Sequence, residues 1–128
     1  MSLTVTVANT SGYATEVTAG RHTLVTDEPV THGGTGQGMS PHALLLAALG
    51  GCTAITLRMY AERKGWPLEA VHVRLELADT DDGQQLTRHI EVRGALDQAQ
   101  RARLAEIADR TPVTKMIGQG VSLTTHVG

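Results

Sequence analysis

At 128 residues and 41% hydrophobic content, the chain has the size and apolar material for one domain with a single core. Its formal net charge of -2 argues against a dedicated nucleic-acid binder, and its few aromatics (Trp66, Tyr13, Tyr60) provide no stacking platform for single strands. Cys52 is the only cysteine, which excludes an intramolecular disulfide; with no charged-then-apolar leader at the N-terminus, the expected setting is a reducing cytoplasm.

Leu3, Val5 and Val7 alternate with Thr4 and Thr6, which predicts a strand with one buried face. Tyr13 to Thr18 and His22 to Thr26 read as two weaker strands joined by the turn Ala19-Gly20. Gly33-Gly34-Thr35-Gly36-Gln37-Gly38 is a loop that lacks the ending of a phosphate cradle and leads instead to Ser40-Pro41. Serine as N-cap followed by proline at the first helical position starts a helix, which Gly65 and Pro67 stop after Lys64. The first half of this helix is apolar on every side, so it is expected to be buried. Its apolar run, Ala43 to Leu49, is too short to span a bilayer.

Val71, Val73, Leu75 and Leu77 then alternate with His72, Arg74 and Glu76. After a turn over Asp79 to Gly83, Leu86, Ile90 and Val92 alternate with Thr87, His89, Glu91 and Arg93. Asp97 caps a helix carrying Leu104, Ile107 and Ala108, Thr111-Pro112 starts another over about Val113 to Ile117, and Val121 to Thr125 reads as a closing strand. The order β-β-β-α-β-β-α-α-β is that of an α+β fold, with an antiparallel sheet wrapped on the long buried central helix in a single domain, residues 1–128. One sheet covers only one side of such a helix, so a second copy of the chain is expected on the other.

The helix-turn-helix that Ala99 to Gly118 resembles carries four cations between Asp97 and Lys115 against three carboxylates, too little charge to hold phosphates. His22, His32, His42, His72, His89 and His126 show no metal-binding spacing, so neither a metal nor a cofactor is expected. That leaves the thiol. At helical spacing Cys52 neighbours Leu45, Ala48, Leu49, Ile55 and Thr56, none of them charged. It lies about three turns from the helix start, beyond the reach of the helix dipole. A reactive thiolate here needs a cation from elsewhere in the fold. Without one, Cys52 is a small buried hydrophobe.

The run Gly33-Gly34 … Gly38-Met39-Ser40-Pro41 … Leu44-Leu45-Leu46-Ala47-Ala48-Leu49-Gly50-Gly51-Cys52-Thr53 resembles the OsmC/Ohr superfamily. The resemblance continues through Leu57 to Ala61, Lys64 to Leu68, Gly94 to Asp97, Arg103-Leu104 and Ile107 to Asp109. It implies an intertwined homodimer and thiol-dependent reduction of organic hydroperoxides. The family's reactive cysteine falls on Cys52, and the arginine that assists its thiolate aligns with Arg21. Arg58, at i+6 on the helix, is a weaker candidate cation. The second cysteine of the family falls on Thr111 of Thr111-Pro112-Val113, and the glutamate near the start of its central helix is replaced by His42 and Ala43.

Two readings stand. One is a one-cysteine peroxidase that uses Cys52 and Arg21 and depends on an external thiol reductant. The other is a catalytically lapsed dimer that binds a small hydrophobic ligand or serves as a scaffold.

Overall fold

The computed structural model describes residues 1–128, which divide into two compact units, Met1–Ala47 and Ala48–Gly128. The first unit holds β1 (Thr6–Ala8), β2 (Thr15–Ala19) and β3 (His22–Thr26) in one antiparallel sheet of order β1-β2-β3, followed by a 3₁₀ turn at Val30–His32. Helix α1 (Pro41–Lys64) begins in this unit and ends in the second. The second unit adds the hairpin β4 (Leu68–Thr80) and β5 (Gly83–Gly94), then α2 (Gln98–Ala108) and α3 (Pro112–Gln119).

The punctuation expected from sequence is in place. Ser40 Oγ accepts from the Ala43 N–H at 3.2 Å, capping α1. At its far end the N–H groups of Gly65 and Trp66 donate to the Glu62 and Ala61 carbonyls, closing the helix in a Schellman motif. Asp97 forms a reciprocal capping box with Gln100 on α2. Thr111 accepts from the Thr114 N–H at the start of α3. The first hairpin turns one residue later than expected, at Gly20-Arg21, with Ala19 paired to His22. Gly20 alone in that turn has a positive φ, +60°, the pattern of a type II′ turn.

In the second unit, Leu57 (0% exposed), Leu104 and Ala108 form the centre of the core. Tyr60, Trp66, Val71, Ile90, Val92, Leu96 and Ile107 pack around them, so α1, the β4–β5 hairpin and α2 share one apolar interior.

Four expectations need correction. The strands form two sheets, of three and two strands, where one sheet was expected. Leu3, Val5 and Val7 are all exposed, so the first strand has no buried face within the chain. Residues 121–125 form no strand, because a strand exists only with a ladder partner and none is supplied to them. Helix α1 is not buried all round. Only the stripe Leu49, Thr53, Leu57, Ala61 is enclosed, while Leu45, Ile55 and Met59 lie exposed. By length and composition α1 is also apolar enough to cross a membrane, with a mean hydropathy of 1.5 over its most apolar window, although its longest apolar run is short.

The glycine-rich loop of the first unit is organised by Asp27, a residue that is 2% exposed. Its carboxylate accepts from the N–H groups of Glu28, Thr35 and Gln37 and from the Thr35 hydroxyl at 2.7–3.3 Å. Gly34 and Gly38 pass so close to the Glu28 and Val25 carbonyls that any Cβ would collide with backbone. The Gln37 N–H, followed by the Thr35 hydroxyl and the Glu28 and Thr35 N–H groups, holds the Asp27 carboxyl below its ordinary pKa of 3.8 against the opposing effect of desolvation. A depressed carboxyl pKa stabilises the fold above the unfolded value, and that stability drains as pH falls through the folded one. The stability gap between wild type and Asp27→Asn, measured by denaturant unfolding, is therefore expected to be full at pH 7 and to close below about pH 3.8. A gap unchanged at pH 3 would rule out the charge as its source.

Candidate active site

Cys52 lies midway along α1 and is half-buried. The helical repeat places it on the same side as Leu45, Ile55 and Met59, the apolar face that the chain itself leaves open. Its one polar neighbour is Thr56, one turn on, with Oγ1 4.0 Å from Sγ. The thiol thus sits on an accessible apolar surface without a polar anchor of its own beyond that hydroxyl.

Of the other residues singled out from sequence, Arg21 stands exposed in the Gly20-Arg21 turn of the first unit. Arg58 is committed elsewhere, donating to the Leu68 and Glu69 carbonyls at 2.6 and 3.0 Å, so it pins the start of β4 to α1. Thr111 is 0% exposed, and its hydroxyl lies 2.6 Å from that of Thr114.

The centre of this region is a residue the sequence analysis passed over, Arg88 on β5. Its side chain is 13% exposed. Nη1 donates to Thr53 Oγ1 at 3.0 Å and to Thr114 Oγ1 at 2.9 Å, while Nη2 donates to the Ala108 carbonyl at 3.1 Å and to Asp109 at 3.3 Å. Thr53 in turn donates to the Leu49 carbonyl at 2.7 Å. The guanidinium therefore joins the residue beside Cys52, through Thr114, to Thr111. A signal for it was available: in the inward register Leu86, Arg88, Ile90, Val92, a charge occupies a place where the pattern calls for an apolar residue.

A family of OsmC-like proteins matches residues 34–126, a stretch that includes the loop from Gly34 on, all of α1 and the whole β4–α3 segment. The chain belongs to the OsmC-like family. Solved structures agree on the OsmC fold. An OsmC-like protein from Mycoplasma pneumoniae superposes with a TM-score of 0.81 at 18% identity, covering 94% of this chain and 89% of the other. An organic hydroperoxide resistance protein OsmC from Legionella pneumophila, described as a predicted redox protein, matches at TM-score 0.66 and 21% identity over 91% and 89% of the two chains. The organic hydroperoxide resistance protein OhrB of Bacillus subtilis gives 0.61 and 20% over 93% of each. No curated protein is significantly similar to the chain in sequence.

Against this OsmC-like background, Thr111 stands where the resemblance puts a second cysteine. Its burial and bonding make it a structural hydroxyl that caps α3 and tightens the Arg88 network.

Proposed function

We propose that this OsmC-like protein reduces organic hydroperoxides with Cys52 as its single redox centre, acting as an intertwined homodimer in a reducing cytoplasm. The observation that supports this most directly is the position of the thiol, half-buried on the apolar face of α1 that the single chain leaves open, so that a second copy would enclose an apolar site around it. The hydroperoxide-resistance names of relatives in the same family favour the same chemistry. In this reading α1 is the central helix of a dimer, a second copy covering Leu45, Ile55 and Met59, rather than a membrane span.

The Cys52 thiolate attacks the terminal oxygen of R–O–OH. The S–O bond forms as the O–O bond breaks, and the alkoxide takes a proton and leaves as the alcohol. Sulfur is oxidised by two electrons to the sulfenic acid, and the peroxide is reduced. With Thr111 in place of a second thiol, an external thiol attacks the sulfenic sulfur and releases water. A second external thiol then frees Cys52 and leaves as a disulfide. Arg21 is the cation assigned to hold the thiolate.

The test is the rate at which cumene hydroperoxide oxidises Cys52 across pH, in wild type and Arg21→Ala. A fast reaction that persists well below pH ~8.5, the ordinary thiol value, and collapses in the variant supports the peroxidase. A slow reaction that follows an ordinary thiol and ignores Arg21 favours the second reading, a lapsed relative. The committed, fully bonded Thr111–Arg88 network is the observation on that side.

A further inference from the structure

The two-stranded sheet leaves one edge of β5 open alongside α2. The hairpin closes at the pair Thr80–Gly83, which in a two-residue turn exchanges both backbone hydrogen bonds. From Gly83 the register runs without a shift to Arg93, so each odd-numbered residue of β5 turns its N–H and C=O to β4. The even-numbered residues turn theirs to the open side. Arg101 of α2 fits this parity, donating to the Val92 and Gly94 carbonyls at 2.9 and 3.2 Å. On that side the backbone groups of Leu86, Arg88 and Ile90 have no partner.

Two grooves follow this edge. One, of about 320 Å³, has Ile90, Glu91 and Val92 facing Leu104 and Ala105, with Leu57 behind them. The next, of about 500 Å³, has Leu86, Thr87, Arg88 and Ile90 facing Ala105 and Ala108. They share Ile90 and Ala105, so they make one channel. Each takes in inward-pointing residues of β5 and one outward-pointing residue, Glu91 or Thr87. The channel therefore lies at the strand's edge and not on a face of the sheet. An open ladder edge beside a groove is a template for an added strand.

The chain carries a segment that matches this edge in length and pattern and has no ladder of its own. Residues 121–127 span seven positions, as Leu86 to Val92 do. When extended, the segment has Val121, Leu123 and Val127 on one side and Ser122, Thr124 and His126 on the other. Those three apolar side chains are 64%, 86% and 93% exposed, so their own chain gives them no cover. Set along β5, the apolar side faces Leu57, Leu104 and Ala105, and the polar side faces Thr87 and Glu91. We infer that residues 121–127 of a second copy add a strand to the open edge of β5, each copy giving its segment to the other. This rests on the homodimer of the proposed function and states how its copies join.

The experiment is hydrogen exchange of the full chain by mass spectrometry over a range of protein concentrations, with the assembly state read by analytical ultracentrifugation. Exchange at Leu86–Val92 and at residues 121–127 is expected to slow together, by about tenfold or more, as the dimer forms. Leu123→Asp and Ala105→Lys are each expected to remove both effects. Leu123 and Ala105 are exposed in the single chain, so neither change disturbs its fold. A dimer whose residues 121–127 stay unprotected overturns the strand exchange and leaves the homodimer standing. Protection of Leu86–Val92 alone gives the edge to another occupant and overturns it too. So does protection of both segments in a monomer, or protection retained in Ala105→Lys. A chain that stays monomeric and unprotected at every concentration removes the exchange and the homodimer together.

Discussion

Cys52→Ser is expected to abolish hydroperoxide consumption, while the wild type without added reductant consumes about one equivalent per chain and stops. Both halves follow from the cysteine count. With one cysteine in the chain, no second thiol can condense with the sulfenic acid, and Thr111 provides a hydroxyl at the place where a resolving sulfur would be sought. Serine keeps the shape but not the nucleophile, since an alcohol is a far weaker nucleophile than a thiolate and its oxygen has no accessible higher oxidation state with which to reduce a peroxide. A dithiol added to the stalled wild type is expected to restart turnover, and a sulfenic-acid trap added in its place to label Cys52 alone. Mass spectrometry of the oxidised chain reads both. Continued turnover without reductant, or peroxide loss that survives in Cys52→Ser, would remove the sulfur from the mechanism.

Leu57→Ala is expected to lower stability by about 3–4 kcal/mol, among the largest single losses available in the fold. Leu57 is fully enclosed and sits where α1 meets Leu104 and Ala108 of α2 and the apolar side of the hairpin. Truncation loses the transfer energy of the side chain and leaves a cavity, because neighbours on three different elements cannot all collapse into it. Ile55, only two residues earlier, provides the contrast. It is 62% exposed in the single chain, so Ile55→Ala in a monomer is expected to cost no more than about 0.5 kcal/mol. If a second copy covers that face, Ile55→Ala costs more, and the unfolding midpoint of the wild type rises with protein concentration. Denaturant midpoints at two concentrations separate the cases. A Leu57→Ala loss below about 1 kcal/mol would contradict the packing described.

What could be read in advance was local chemistry. Ser40-Pro41, Asp97 and Thr111-Pro112 each carry the side chain that satisfies free N–H groups at a helix start, and each begins a helix where expected. The alternation from Val71 to Val92 has a period of two with turn residues between, and it forms the long hairpin with Thr80 paired to Gly83. Cys52 and its apolar neighbours are set by helical spacing alone.

Other features depend on neighbours remote in sequence. Arg88 is separated from Thr53 by 35 residues, and nothing in either segment states that a guanidinium will fill the space between α1 and α3. Asp27 reaches eight and ten residues ahead to Thr35 and Gln37, a closure that depends on how the loop folds back. The strand expected at Val121 to Thr125 and the burial expected for Leu3, Val5 and Val7 failed for a shared reason. Alternation says that a segment has an apolar face, but the surface that covers it, or the ladder that pairs it, belongs to another part of the structure. The sequence by itself thus determined the three helices with their caps, the long hairpin and the position of the lone thiol, because these rest on interactions within a few residues. Only the tertiary structure decided which face of α1 is enclosed, where Arg88 is spent and why Thr111 is locked, because those follow from packing between elements far apart in the chain.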